Sequence, residues 1–87
     1  MKMYLIKSVS IATQSNPNFA GETRVYILGK NLCTKYKEEY LKFYAKEYGY
    51  KTISGAKQRF KSLKETFEWE SERGFWESTC EIIEVEV

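Results

Sequence analysis

The chain contains no histidine and no aspartate; all 12 of its acids are glutamate. Without histidine the usual near-neutral general base is missing, and so are the imidazole-bearing metal sites. There are only two cysteines, Cys33 and Cys80, far apart and outside any C-x-x-C pair. That spacing rejects zinc and thioredoxin-like readings and predicts two free thiols in a reducing cytosol. No apolar run is long enough to span a membrane, and Lys7 divides the opening MKMYLIKSVSIATQ, so no signal peptide is expected there. The phosphate-binding spacing G-x-x-x-x-G-K is absent. Nucleophile-bearing side chains are present, but no spacing joins one to a base. The expectation is a non-enzymatic, cytoplasmic protein with no catalytic residue, no cofactor and no metal.

What is there suits one small domain, residues 1–87. The 43% hydrophobic and 30% charged fractions belong to a folded chain and exclude a disordered one. A net charge of +2 is too mild to imply nucleic-acid binding by itself, so any such case must rest on a local patch. Seven Tyr, five Phe and two Trp are more rings than a small core holds, so some are expected on the surface.

Along the chain, the apolar residues Met3, Leu5, Val9 and Ile11 recur at a period of two, with Lys7 as the exception, and predict a strand over 3–12. TQSNPNFAGE reads as a loop. TRVYILG predicts a second strand, over 23–28, closed by Gly29-Lys30-Asn31. The period then changes. Tyr36, Tyr40, Phe43, Tyr44 and Tyr48 recur at three and four, which predicts an amphipathic helix with Thr34 as N-cap and Gly49 as its stop. A second helix is predicted from about Thr52 to Arg73, with Ile53, Ala56, Phe60, Leu63 and Phe67 as its apolar stripe. Gly74 fits the left-handed cap position. The tail STCEIIEVEV alternates again, a strand over 79–87. The order is β-β-α-α-β. The expected fold is α+β, a three-stranded antiparallel sheet with two helices packed on one face. Leu5, Val9, Val25, Ile27, Phe60, Leu63, Phe67, Ile83 and Val85 are expected in its core.

The stretch KTISGAKQRFKSLKE gathers Lys51, Lys57, Arg59, Lys61 and Lys64 at a helix start. Cations there oppose the helix dipole, and Gly55 in the first turn costs about 0.5–1 kcal/mol relative to Ala. Two local rules are broken in one turn, as happens at functional or strained sites. One reading is a partner- or anion-binding site, with the Thr52 and Ser54 hydroxyls and free backbone N–H groups at the turn. Lys57, Lys61 and Lys64 would extend it along one flank. The other is a solvated surface, with Lys61 paired to Glu65, Lys64 to Glu68, and Gly55 letting the second helix pass close to the first. Trp69 falls opposite the apolar stripe, beside Arg73. It either folds inward with Phe75 and Trp76 or stands exposed beside the arginine as an interface residue. The tyrosine-rich arc of the first helix is read either as a protein-binding surface or as a face buried between sheet and second helix.

The YGYKT and GAK segments that lead into the basic helix, and the closing segment with Trp76, Ile83, Glu84, Val85 and Glu86, resemble small accessory proteins of phages and prophages, over the last half of the chain. Several proteins of that kind, anti-CRISPR proteins among them, are small non-enzymatic inhibitors that occlude a host defence complex. The resemblance implies a protein or ribonucleoprotein partner in the host cell cytosol, and carries over no individual binding residue. The same YKT turn is similar to one in the arm-binding domains of phage integrases, where it opens a helix packed on a three-stranded sheet. There all three strands precede the helix, whereas here a strand follows it. The alternative expectation is a nucleic-acid- or nucleotide-binding domain using the 51–64 patch.

Overall fold

The first strand organises the molecule because both of its edges and both of its faces are used. The computed structural model describes the backbone of residues 1–72 and 74–87 and the side chains of residues 1–65 and 74–87. Strand β1 (Lys2–Ala12) pairs antiparallel with β2 (Thr23–Gly29) on one edge and with β4 (Trp76–Glu86) on the other. A short β3 (Leu32–Lys35) follows β2 through a tight turn in which Asn31 takes a positive φ of 56°, a conformation asparagine tolerates. The sheet is four-stranded and antiparallel, in the order β3-β2-β1-β4. A 3₁₀ turn (Glu38–Tyr40) leads into helix α1 (Leu41–Tyr48), and α2 (Ile53–Glu72) precedes β4.

The α+β class and the antiparallel sheet agree with the sequence reading; the number of strands and the placing of the helices do not. Thr34 and Lys35, expected at the start of the first helix, belong instead to β3. Leu32-Cys33-Thr34-Lys35 alternates on the period of two, and Thr34 pairs with Ile27 in the sheet instead of capping a helix. The helix starts later, at Leu41, and Tyr36 lies ahead of it. The two helices occupy opposite faces of the sheet, not one. On the face of the odd β1 positions, Met3, Leu5 and Ile27 pack with Ala45 of α1, joined by Tyr44, Ile83 and Val85. On the even face, Ile6 and Leu28 pack with Ala56 of α2 and with Tyr50, joined by Phe60, Leu63 and Ile82. A sheet covered on both faces buries neighbouring residues of one strand, and Leu5 and Ile6 both have no exposure.

The chain changes face at Gly49-Tyr50. Tyr50 exchanges two main-chain hydrogen bonds with Tyr4, 2.8 and 2.9 Å, in line with the end of β2. The Tyr48 carbonyl accepts from the Lys30 N–H at 2.7 Å. It comes so close to Gly29 that a Cβ there would stand 2.4 Å from it, so only glycine fits.

Of the expected core, Leu5 and Ile27 are fully buried, and Phe60, Leu63, Ile83 and Val85 are half-buried against the two clusters. Val9 and Val25 are half-exposed and belong to neither. Helix α1 has only 8 residues and packs on the Met3–Leu5 end of that face, leaving the Val9 end uncovered. Phe67 lies outside the described residues.

Candidate interaction surface

Helix α2 begins with a working cap. The Gly55 N–H donates to Thr52 Oγ1 at 3.2 Å, and the Ala56 N–H reaches the Thr52 carbonyl at 3.3 Å. The cap occupies the Gly55 N–H, one of the first-turn donors an anion would use, and the Ala56 bond is the first ordinary bond of the helix. Gly55 does not ease a close pass of the two helices, because the sheet lies between them. A Cβ at Gly55 would meet Thr52 Oγ1 at 3.4 Å and the Tyr50 ring at 3.5 Å, ordinary contact distances. Gly55→Ala is therefore expected to raise stability by up to about 1 kcal/mol in urea unfolding. A loss would show that the position needs glycine.

Ala56, Phe60 and Leu63 turn α2 toward the sheet. At about 100° per residue, Lys57, Lys61 and Lys64 then share one flank and Arg59 lies on the other. All four are exposed, as are Lys51, Thr52 and Ser54 at the turn. The Lys61–Glu65 pair expected from the i+4 spacing does not form. Among the described residues, Lys57, Lys61 and Lys64 have no carboxylate partner. The Lys64–Glu68 pair, and the candidates Trp69 and Arg73, lie outside the described residues. The row of lysines is thus brought together by the helix, and Lys51 stands apart from it at the crossover.

The two thiols sit on strands β3 and β4, the opposite edges of the sheet, with β2 and β1 between them. At ~4.8 Å per strand step they are roughly 14 Å apart, too far for a disulfide. Burial pushes the Cys80 thiol up, against a smaller downward pull from the Lys64 charge. A thiol shifted that way is a poor nucleophile at neutral pH.

The structure adds one cluster that the sequence reading missed. The Arg24 guanidinium lies 4.7 Å from the centre of the Phe19 ring and 4.8 Å from that of Trp76, and its Nε donates to Glu22 at 3.2 Å. The two rings are 6.2 Å apart. Glu22 holds the arginine pKa above its ordinary value. Strand register explains the meeting: Ser10 stands opposite Arg24, and Ala12 opposite Trp76, on one face. Beneath the cluster, buried Asn16 accepts from the Asn18 and Phe19 N–H groups and donates to the Phe75 carbonyl, and the Thr13 hydroxyl donates to the Gly74 carbonyl. Gly74 has the positive φ of 76° foreseen for it. The cluster fastens the long hairpin loop to the start of β4. A groove of about 550 Å³ opens beside Arg24, Val25, Lys35 and Tyr36, where β3 stops short of the start of β2.

On the other face, the tyrosine arc is not sandwiched between sheet and second helix. Tyr36, Tyr44 and Tyr48 are half-buried, while Tyr40 and Phe43 are exposed. No helix among the described residues is long and apolar enough to cross a membrane. Comparison with known proteins finds no matching family model, no similar curated protein and no similar solved structure.

Proposed function

We propose that this chain is a small binding protein that acts without catalysis, of the kind phages and prophages carry, and that it inhibits a host defence ribonucleoprotein complex in the cytosol by occupying part of its surface. The observation that supports this reading is the row Lys57, Lys61 and Lys64: three exposed cations on one helix flank with no carboxylate partner among the described residues. Charge left uncompensated in this way serves to steer and orient a partner of opposite charge. The raised Cys80 thiol speaks against thiolate chemistry at that residue. The exposed Tyr40 and Phe43 add ring surface of the kind enriched at protein interfaces.

Nucleic-acid binding is the second reading, supported by the same lysine row, since phosphates would also satisfy it. Capture of the tagged chain's partner from a phage-host bacterial lysate, with and without nuclease, separates the two. A stoichiometric protein complex that survives nuclease is the expected result. Release of everything bound on nuclease treatment would replace the first reading by the second, and capture of nothing would remove both.

A further inference from the structure

The outer edge of β4 is a long open run of main chain. β4 is an edge strand, and its pairing with β1 keeps one register from Lys2–Glu86 to Ala12–Trp76 without a bulge. Tyr4 gives its N–H and C=O to Tyr50, on the side away from β4. The pair Tyr4–Glu84 is therefore non-hydrogen-bonded, and alternation turns the N–H and C=O groups of Ser78, Cys80, Ile82 and Glu84 outward. No described residue pairs with them. An unbulged edge of this length is a template for another strand.

The lysine row overhangs that edge. A short turn at Gly74 reverses the chain, so α2 runs antiparallel to β4. A right-handed helix with Ala56, Phe60 and Leu63 against the sheet turns Lys57, Lys61 and Lys64 outward past β4, and Arg59 inward over β1. Two observations agree with this placing: a Cβ at Gly55, on the inward flank, would stand 3.5 Å from the Tyr50 ring, and the Lys64 charge pulls the Cys80 thiol down, less than burial pushes it up.

We propose that β4 accepts an extended acidic segment of a partner protein as a fifth strand. The segment's main chain bonds to Ser78, Cys80, Ile82 and Glu84, and its alternate carboxylates lie beside Lys57, Lys61 and Lys64. The proposal rests on the reading of the chain as a binding protein and specifies its partner. The three lysines span ~10 Å along the helix at 1.5 Å per residue, against ~13 Å for three alternate strand residues, a difference of ~3 Å that long lysine side chains bridge. The glutamates of β4 on that face do not repel an acidic segment. Glu84 is paired with Lys2 at 2.9 Å and Glu86 with the N-terminal amine at 3.1 Å. Glu77 and Glu81 share the opposite face with Val85, so the partner strand is uncharged or basic on that side. A second copy of the chain is a poor occupant. Antiparallel β4–β4 pairing would set two lysine rows against each other across the two-fold axis. A nucleic acid suits the lysines but not the edge, whose outward carbonyls need donors that phosphates lack.

The test is amide hydrogen exchange on the full-length protein with a blocked peptide of alternating Glu and Thr. An alternating Lys–Thr peptide and a short oligothymidylate serve as comparisons. The Glu–Thr peptide is expected to slow exchange at Ser78, Cys80, Ile82 and Glu84 by roughly tenfold or more, and the triple change Lys57→Gln, Lys61→Gln, Lys64→Gln to weaken its binding by about as much. Absent binding, binding without slowed exchange at those amides, or equal protection by either comparison ligand would overturn the proposal. A partner captured from lysate that leaves the β4 amides exchanging freely would also overturn it, yet would leave the binding-protein reading in place.

Discussion

Leu5→Ala and Ile6→Ala should each cost about 2–5 kcal/mol, although the two side chains point to opposite faces of one strand. Both have no exposure, Leu5 in the cluster under α1 and Ile6 in the cluster under α2. A chain of this length has roughly 4–13 kcal/mol of stability at ~0.05–0.15 kcal/mol per residue, so either change removes a large share. Urea unfolding in the cold, where a weakened variant keeps a measurable folded baseline, reads the loss. A sheet covered on one face only would make one of the two changes cheap. A cost for Ile6→Ala below about 1 kcal/mol would therefore overturn the two-sided packing. Phe60→Ala and Leu63→Ala should cost less than either, because both side chains are only half-buried.

Replacing Lys57, Lys61 and Lys64 together by Gln should lower partner affinity at least about tenfold while changing stability by less than about 1 kcal/mol. The three side chains stabilise nothing by pairing among the described residues, so their removal leaves the fold as it is. Glu65→Gln should leave binding unchanged or tighten it, since it deletes an anion next to the row. Isothermal titration with the captured partner, alongside urea unfolding, measures both quantities. Unchanged affinity in the triple variant would end the role of the lysine row. A loss of several kcal/mol in stability would show that the lysines serve the fold.

Strands β1, β2 and β4 were legible because alternation at a period of two survives even where tertiary context varies. β3 was not, because four residues followed by regularly spaced tyrosines match a helix period as well as a strand period. The covering of both faces was hidden by composition. The even face of β1 reads Tyr4, Ile6, Ser8, Ser10, Ala12, a mixed row, yet Ser8 and Ala12 are buried there along with Ile6. Lys7, the exception on the odd face, has a physical account: its ammonium lies 4.8 Å from the centre of the Tyr36 ring. The lysine row was readable from spacing alone. That it overhangs an open edge was not, because the order of strands in a sheet follows from pairings distant in sequence. Gly55 looked like a functional signal and fits instead as an ordinary helical residue beside Tyr50.

The central strand β1 is separated from its longest partner, β4, by every other element of the fold. During synthesis β1 therefore emerges with one edge bare and stays so until β4 follows. The β1–β2–β3 meander can form early, but α2 has little to pack on before β4 arrives, since Cys80 and Ile82 supply part of its bed. Pairings so distant in sequence slow folding, because the whole intervening loop must close before any contact rewards it. A nascent or truncated chain would expose the edge of β1 next to the apolar side chains of Ile6 and Leu28, a surface prone to aggregate. The arrival of β4 is thus also the moment at which the sheet acquires a protected centre.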